Sequence, residues 1–155
     1  LGYWNDPEAT RKAIDSNGWM HTGDLAVMDD DGYVSIVGRI KDIIIRGGEN
    51  ISPREVEEFL HTIPGVVEAQ VIGIPCPKYG EEVMAWIKPK PGQALSEEEL
   101  LGYCKGQIAT YKTPRYWKFV EAFPMTVTGK VQKFKIREIE IEQLGRQRAA
   151  RIETA

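Results

Sequence analysis

The sequence predicts an α+β fold in which helices pack a mixed sheet and a β-hairpin precedes it. Three observations carry that expectation. Apolar, β-prone runs recur at residues 43–45, 66–74, 82–88 and 116–121, the length of ordinary buried strands. Between them stand two helix-start signals, Ser52-Pro53-Arg54-Glu55 and Ser96-Glu97-Glu98-Glu99, each with a serine followed three residues later by a glutamate. Ahead of both, residues 25–28 and 33–37 flank the turn Asp29-Asp30-Asp31-Gly32, which reads as a hairpin.

Taken in order, Asp6-Pro7-Glu8 gives a cap, a first-turn proline and an early acid, so a short helix begins at Pro7 and runs to about Ile14. The helix and hairpin of residues 1–40 are too small to build a core alone, and their apolar faces imply a missing neighbour. Ile43-Ile44-Ile45 is a strand, Gly47-Gly48 a turn able to take positive φ, and Ser52 caps a helix with Pro53 at its first position and Glu55 closing a capping box. Val56, Phe59, Leu60 and Ile63 put one face of that helix in the core, and Pro64-Gly65 ends it. The strands 66–74 and 82–88 are separated by Pro75-Cys76-Pro77 and Tyr79-Gly80. Leu100, Leu101, Cys104 and Ile108 form the stripe of the second capped helix, and a last helix starts near Phe134 with Ile136, Ile139 and Leu144 inward. Residues 1–40, 41–145 and 146–155 are thus expected to be a hairpin-bearing piece, an α+β domain and a disordered tail.

Composition narrows the function classes. A net charge of −3 argues against nucleic-acid binding, which asks for a basic excess or stripe. The two cysteines, Cys76 and Cys104, have neither a CxxC partner nor a nearby histidine, so buried free thiols in a reducing compartment are expected, with no metal site. No apolar run approaches the ~18 residues of a membrane span and no signal segment opens the chain, so a soluble, cytoplasmic protein is expected. The opening Leu1-Gly2-Tyr3 suggests a piece of something longer.

Three stretches stand out: His21-Thr22-Gly23-Asp24-Leu25, the segment from Gly38 to Glu57 with Arg46-Gly47-Gly48-Glu49 at its centre, and Pro124-Met125-Thr126-Val127-Thr128-Gly129-Lys130-Val131; taken singly, each reads as an ordinary turn or strand–helix connection. The last is not a Walker A loop, since Pro124 stands where a glycine is needed and Val131 where Ser or Thr is. In order and spacing the three resemble the final motifs of the adenylate-forming superfamily, the acyl-CoA synthetases, peptide-synthetase adenylation domains and beetle luciferases. The likeness runs from Gly2 to about Leu144 and is greatest to the fatty-acyl-CoA synthetases.

The resemblance implies a small C-terminal lid domain, 41–145, preceded in 1–40 by the tail of a large N-terminal adenylating domain that is its partner. It implies that Lys130 is catalytic, contacting the substrate carboxylate and the α-phosphate of ATP. Asp24, assisted by Arg39, would bind the ATP ribose. Lys41 would be the hinge about which the lid rotates, and Gly47 and Gly48 would line the pantetheine tunnel for CoA. Substrates would be ATP, CoA and a carboxylic acid, expected to be a fatty acid; Mg2+ is expected in the full enzyme with no ligand in this chain, which alone should be inactive. Lys112, Arg115, Lys118, Lys133, Lys135 and Arg137 could serve CoA phosphates or simply face solvent. Two other readings stay open: an adenylation domain loading a carrier-protein thiol, and a non-catalytic interaction module.

Overall fold

The computed structural model describes residues 2–145; the expected tail, 146–155, lies outside the described residues. The chain divides into two compact units at the Lys41/Asp42 step.

In the first unit, α1 (Pro7–Ala13) starts at Asp6, whose side chain accepts from the Ala9 N–H, with proline in the first turn. Strands β1 (Asp24–Met28) and β2 (Val34–Arg39) pair antiparallel. The hairpin forms because Asp29 Oδ1 accepts from the backbone N–H groups of Asp31 and Tyr33, an Asx-type closure of the Asp-rich turn. Val27, Met28, Tyr33 and Val34 are exposed. A 3-10 turn, Ile40–Asp42, follows.

The second unit is built on a five-stranded mixed sheet in the order β4-β3-β6-β5, with β7 also paired to β6. Its strands are β3 (Ile44–Arg46), β4 (Glu49–Ile51), β5 (Val66–Cys76), β6 (Gly80–Pro89) and β7 (Tyr116–Phe119). The helices are α2 (Pro53–His61), α3 (Glu97–Cys104) and α4 (Lys133–Gln143). Among the described residues only β6 and β7 run parallel, joined by the crossover through α3 that such a pair requires.

β6 explains the layering. Val83, Ala85 and Ile87 belong to a core with α2 and α3 residues Val56, Leu60, Leu100 and Cys104. Met84 and Trp86, alternate in sequence, belong to a second core with Phe123 and Ile136 of the α4 side. Side chains alternate across a strand, so an unbroken apolar run fits a strand covered on both faces. The protein therefore has helices on each side of the sheet.

Three local expectations change. The strand β4 is additional. The capping box at Ser52 does not form: Ser52 sits at the N-cap without a side-chain cap bond, and the Glu55 carboxylate accepts from Lys112 Nζ. The helix α3, whose Ser96–Glu99 capping box does form, stops at Cys104; Gly106 takes φ +76°, and Ile108 packs on the core from the turn beyond.

Candidate functional site

The Gly47–Gly48 turn is a two-residue hairpin loop. Arg46 pairs with Glu49 across it, and the two glycines have φ +58° and +92°. Positive φ at both central positions is the requirement of the type I′ turn that matches strand twist, which explains why the polar segment 49–51 becomes a strand. The loop is held from beneath: the Gly47 N–H donates to the Tyr79 carbonyl at 2.8 Å. Arg46 forks onto the buried carboxylate of Glu82, with Nη2 to Oε2 at 3.2 Å, and stacks over the Tyr79 ring at 4.3 Å. That carboxylate, by hydrogen bonding, raises the Arg46 pKa and keeps it charged. A Cβ at Gly47 would meet Tyr79 Cδ1 at 3.3 Å, whereas at Gly48 it would meet nothing within 4 Å.

Lys130 closes a second tight turn. Met125 and Val131 form an antiparallel bridge, and between them the Thr126 N–H donates to the Lys130 carbonyl at 2.8 Å and the Gly129 N–H to the Thr126 carbonyl at 3.0 Å. Gly129 sits at φ +79°. Thr126 Oγ1 accepts from the Lys130 N–H at 3.0 Å and lies 2.9 Å from Thr128 Oγ1. Both threonines thus set the shape of the turn, a role not visible in their sequence position. Lys130 itself is exposed.

In the first unit Asp24 and Arg39 are cross-strand partners. Arg39 Nε donates to Asp24 Oδ1 at 2.9 Å, so the structure brings this predicted pair together. Lys41 is the last residue of that unit, within the 3-10 turn. Of the six basic residues, four are engaged in ion pairs: Lys112 with Glu55, Lys118 with Glu140, Lys133 with Glu57, and Arg137 with Glu81. Two of these pairs join α4 to the sheet, Lys118–Glu140 and Arg137–Glu81, while Lys133–Glu57 joins α4 to α2 and Lys112–Glu55 ties a turn to α2. Among the described residues no cluster of His, Cys, Asp or Glu could hold a metal ion, and no helix is long and apolar enough to cross a membrane.

Residues 55–130 match the family model of the AMP-binding enzyme C-terminal domain. The chain carries that domain. It is 59% identical over 141 residues to YngI of Bacillus subtilis, covering 91% of this chain and 26% of that protein. Against the mitochondrial medium-chain acyl-CoA ligase ACSF2 of Danio rerio it is 54% identical over 145 residues, covering 94% and 24%. ATP-bound MatB from Rhodopseudomonas palustris superposes with a TM-score of 0.85 at 41% identity over 90% of this chain and 28% of that one. The Mycobacterium tuberculosis fatty acyl CoA synthetase gives 0.70 at 44% identity over 92% and 28%. The chain therefore spans about a quarter of the length of these relatives. It is homologous to acyl-CoA synthetases, and its α+β architecture is that of the C-terminal portion of adenylate-forming enzymes. In the AMP-binding domain the matched span begins in α2 and ends at Lys130, the residue at the head of the second turn.

Proposed function

We propose that residues 41–145 are the lid, and 1–40 the tail of the adenylating domain, of an ATP-dependent acid-thiol ligase acting on a fatty acid. In the first half-reaction a carboxylate oxygen attacks the α-phosphorus of ATP, the bond to the bridging oxygen breaks, and pyrophosphate leaves. Lys130 holds the two anions together and offsets the charge developing on the bridging oxygen. A cation at the end of an internally bonded turn suits that task, and this is the observation that carries the proposal. Asp24 and Arg39 offer an acceptor beside donors, the complement of a ribose diol. Rotation about Lys41 then exchanges the Lys130 turn for the Gly47–Gly48 turn. In the second half-reaction the CoA sulfur attacks the acyl carbon and AMP departs, with the side-chain-free Gly48 surface against the pantetheine arm.

The names of the relatives, medium-chain acyl-CoA ligase and fatty acyl CoA synthetase, support fatty acid as substrate class. Mg2+ is assigned to the remainder of the parent enzyme. The test follows pyrophosphate and acyl thioester in one tube, using the intact parent with ATP, CoA and a panel of fatty acids. Both products appearing together supports the ligase. Pyrophosphate exchange without a CoA thioester overturns CoA as acceptor in favour of a carrier-protein thiol, and neither product leaves only the fold.

A further inference from the structure

The strand β3 meets β6 at a single register position, Arg46 opposite Gly80, because the same edge of β6 is taken from Met84 to Ile87 by β7. One residue before that position the sheet has no backbone acceptor to offer, and a side chain supplies it. Ile45 N–H donates to Glu81 Oε2 at 2.8 Å. The other oxygen of the same carboxylate accepts from Arg137 Nη2 at 3.0 Å. Arg137 lies on α4, and its Nε donates to the Gly73 carbonyl on β5 at 2.8 Å. Gly73 leaves room for this contact: a Cβ there would stand 3.0 Å from the Glu81 carboxyl carbon and both its oxygens, so the carboxylate would have to shift by a few tenths of an ångström.

One carboxylate thus joins the root of the Gly47–Gly48 hairpin to the helix that starts three residues after Lys130. We propose that Glu81 and Arg137 are positioning residues that fix these two turns in one rigid body, so that a single rotation removes one and delivers the other in register. The proposal rests on the two-turn reading given above. The Arg137 side chain is 42% exposed, and an ion pair that open adds little to global stability. Its effect should therefore be local.

The experiment measures amide exchange and both half-reactions in the intact parent carrying Arg137→Gln, Glu81→Gln, or both. In Arg137→Gln the Ile45 amide, held through Glu81, is expected to exchange about tenfold faster, while the Gly47 amide, held by Tyr79, changes little. Attack of CoA on supplied acyl-adenylate is expected to fall about tenfold in each single variant and no further in the double, because the two residues act as one link. Parallel acceleration at Ile45 and Gly47, an unchanged Ile45 amide, or a double variant as slow as the product of the singles would each overturn it. If the parent forms no thioester, the functional reading fails, and the exchange arm still decides the link. Should Arg137→Gln not fold, Arg137→Lys gives the same readout, since a lysine keeps the charge but cannot span both acceptors.

Discussion

Replacing Gly48 separates backbone strain from obstruction. The residue sits at φ +92°, where an L side chain costs about 1–2 kcal/mol, and its Cβ would have open space within 4 Å. Gly48→Ala and Gly48→Trp therefore carry the same backbone strain, and in both the added Cβ meets no neighbour. With an ordinary urea dependence, both are expected to lower the unfolding midpoint by about 0.5–1 M, and to differ from one another by less than about 0.5 kcal/mol. Unfolding is followed through the buried Trp86 and Trp117. In the parent enzyme the same two variants should diverge. Thioester formation from supplied acyl-adenylate should fall modestly in Gly48→Ala and by about a hundredfold or more in Gly48→Trp, the scale of a misplaced reactant. A costless Gly48→Ala would refute the strain argument; equal thioester rates in the two variants would refute the tunnel.

Two further expectations follow from buried titratable groups. Burial holds the Glu57 carboxyl above its ordinary value despite Lys133 beside it, so the folded state keeps the proton to higher pH than the unfolded chain. That contribution to stability is present below the unfolded pKa and is lost as pH rises through the folded one, so the advantage of wild type over Glu57→Gln should shrink as pH rises above the ordinary carboxyl range; a growing advantage in urea melts would contradict it. Burial also pushes the Cys104 thiol up to about 11, whereas Cys76 is half-buried. At about pH 8 an alkylating reagent should modify Cys76 first and reach Cys104 only after denaturant is added; equal rates in the native protein would rule out the packing described for α3.

What was legible in the sequence is local. The Asp6 cap, the Ser96–Glu99 box and the Asp-Gly hairpin turn each depend on residues within four positions, and all form. The Ser52 box, equally local in sequence, lacks its side-chain cap bond, and the Glu55 carboxylate meets Lys112, 57 positions away. The strand β4 escaped because Glu49-Asn50 has poor strand propensity; the I′ geometry of two glycines creates it. The basic residues show the same limit. Lys133 and Arg137 look like a solvent-facing or anion-binding stripe until the fold brings Glu57 of α2 and Glu81 of β6 to them from 76 and 56 positions away. For the candidate site, the motif residues Asp24 and Arg39 proved to be cross-strand partners. Glu81, Glu82 and Tyr79, which hold the glycine hairpin, carried no sequence signal, because what they do depends on the register of β3 against β6.

The most direct test of the lid account is Lys130→Ala in the intact parent, with the two half-reactions measured apart. The account predicts that acid-dependent pyrophosphate exchange falls by about 10²–10³-fold, the scale of one lost electrostatic contact to a transition state, while CoA attack on supplied acyl-adenylate stays near wild type. Equal loss of both half-reactions, or a fully active Lys130→Ala enzyme, would contradict it.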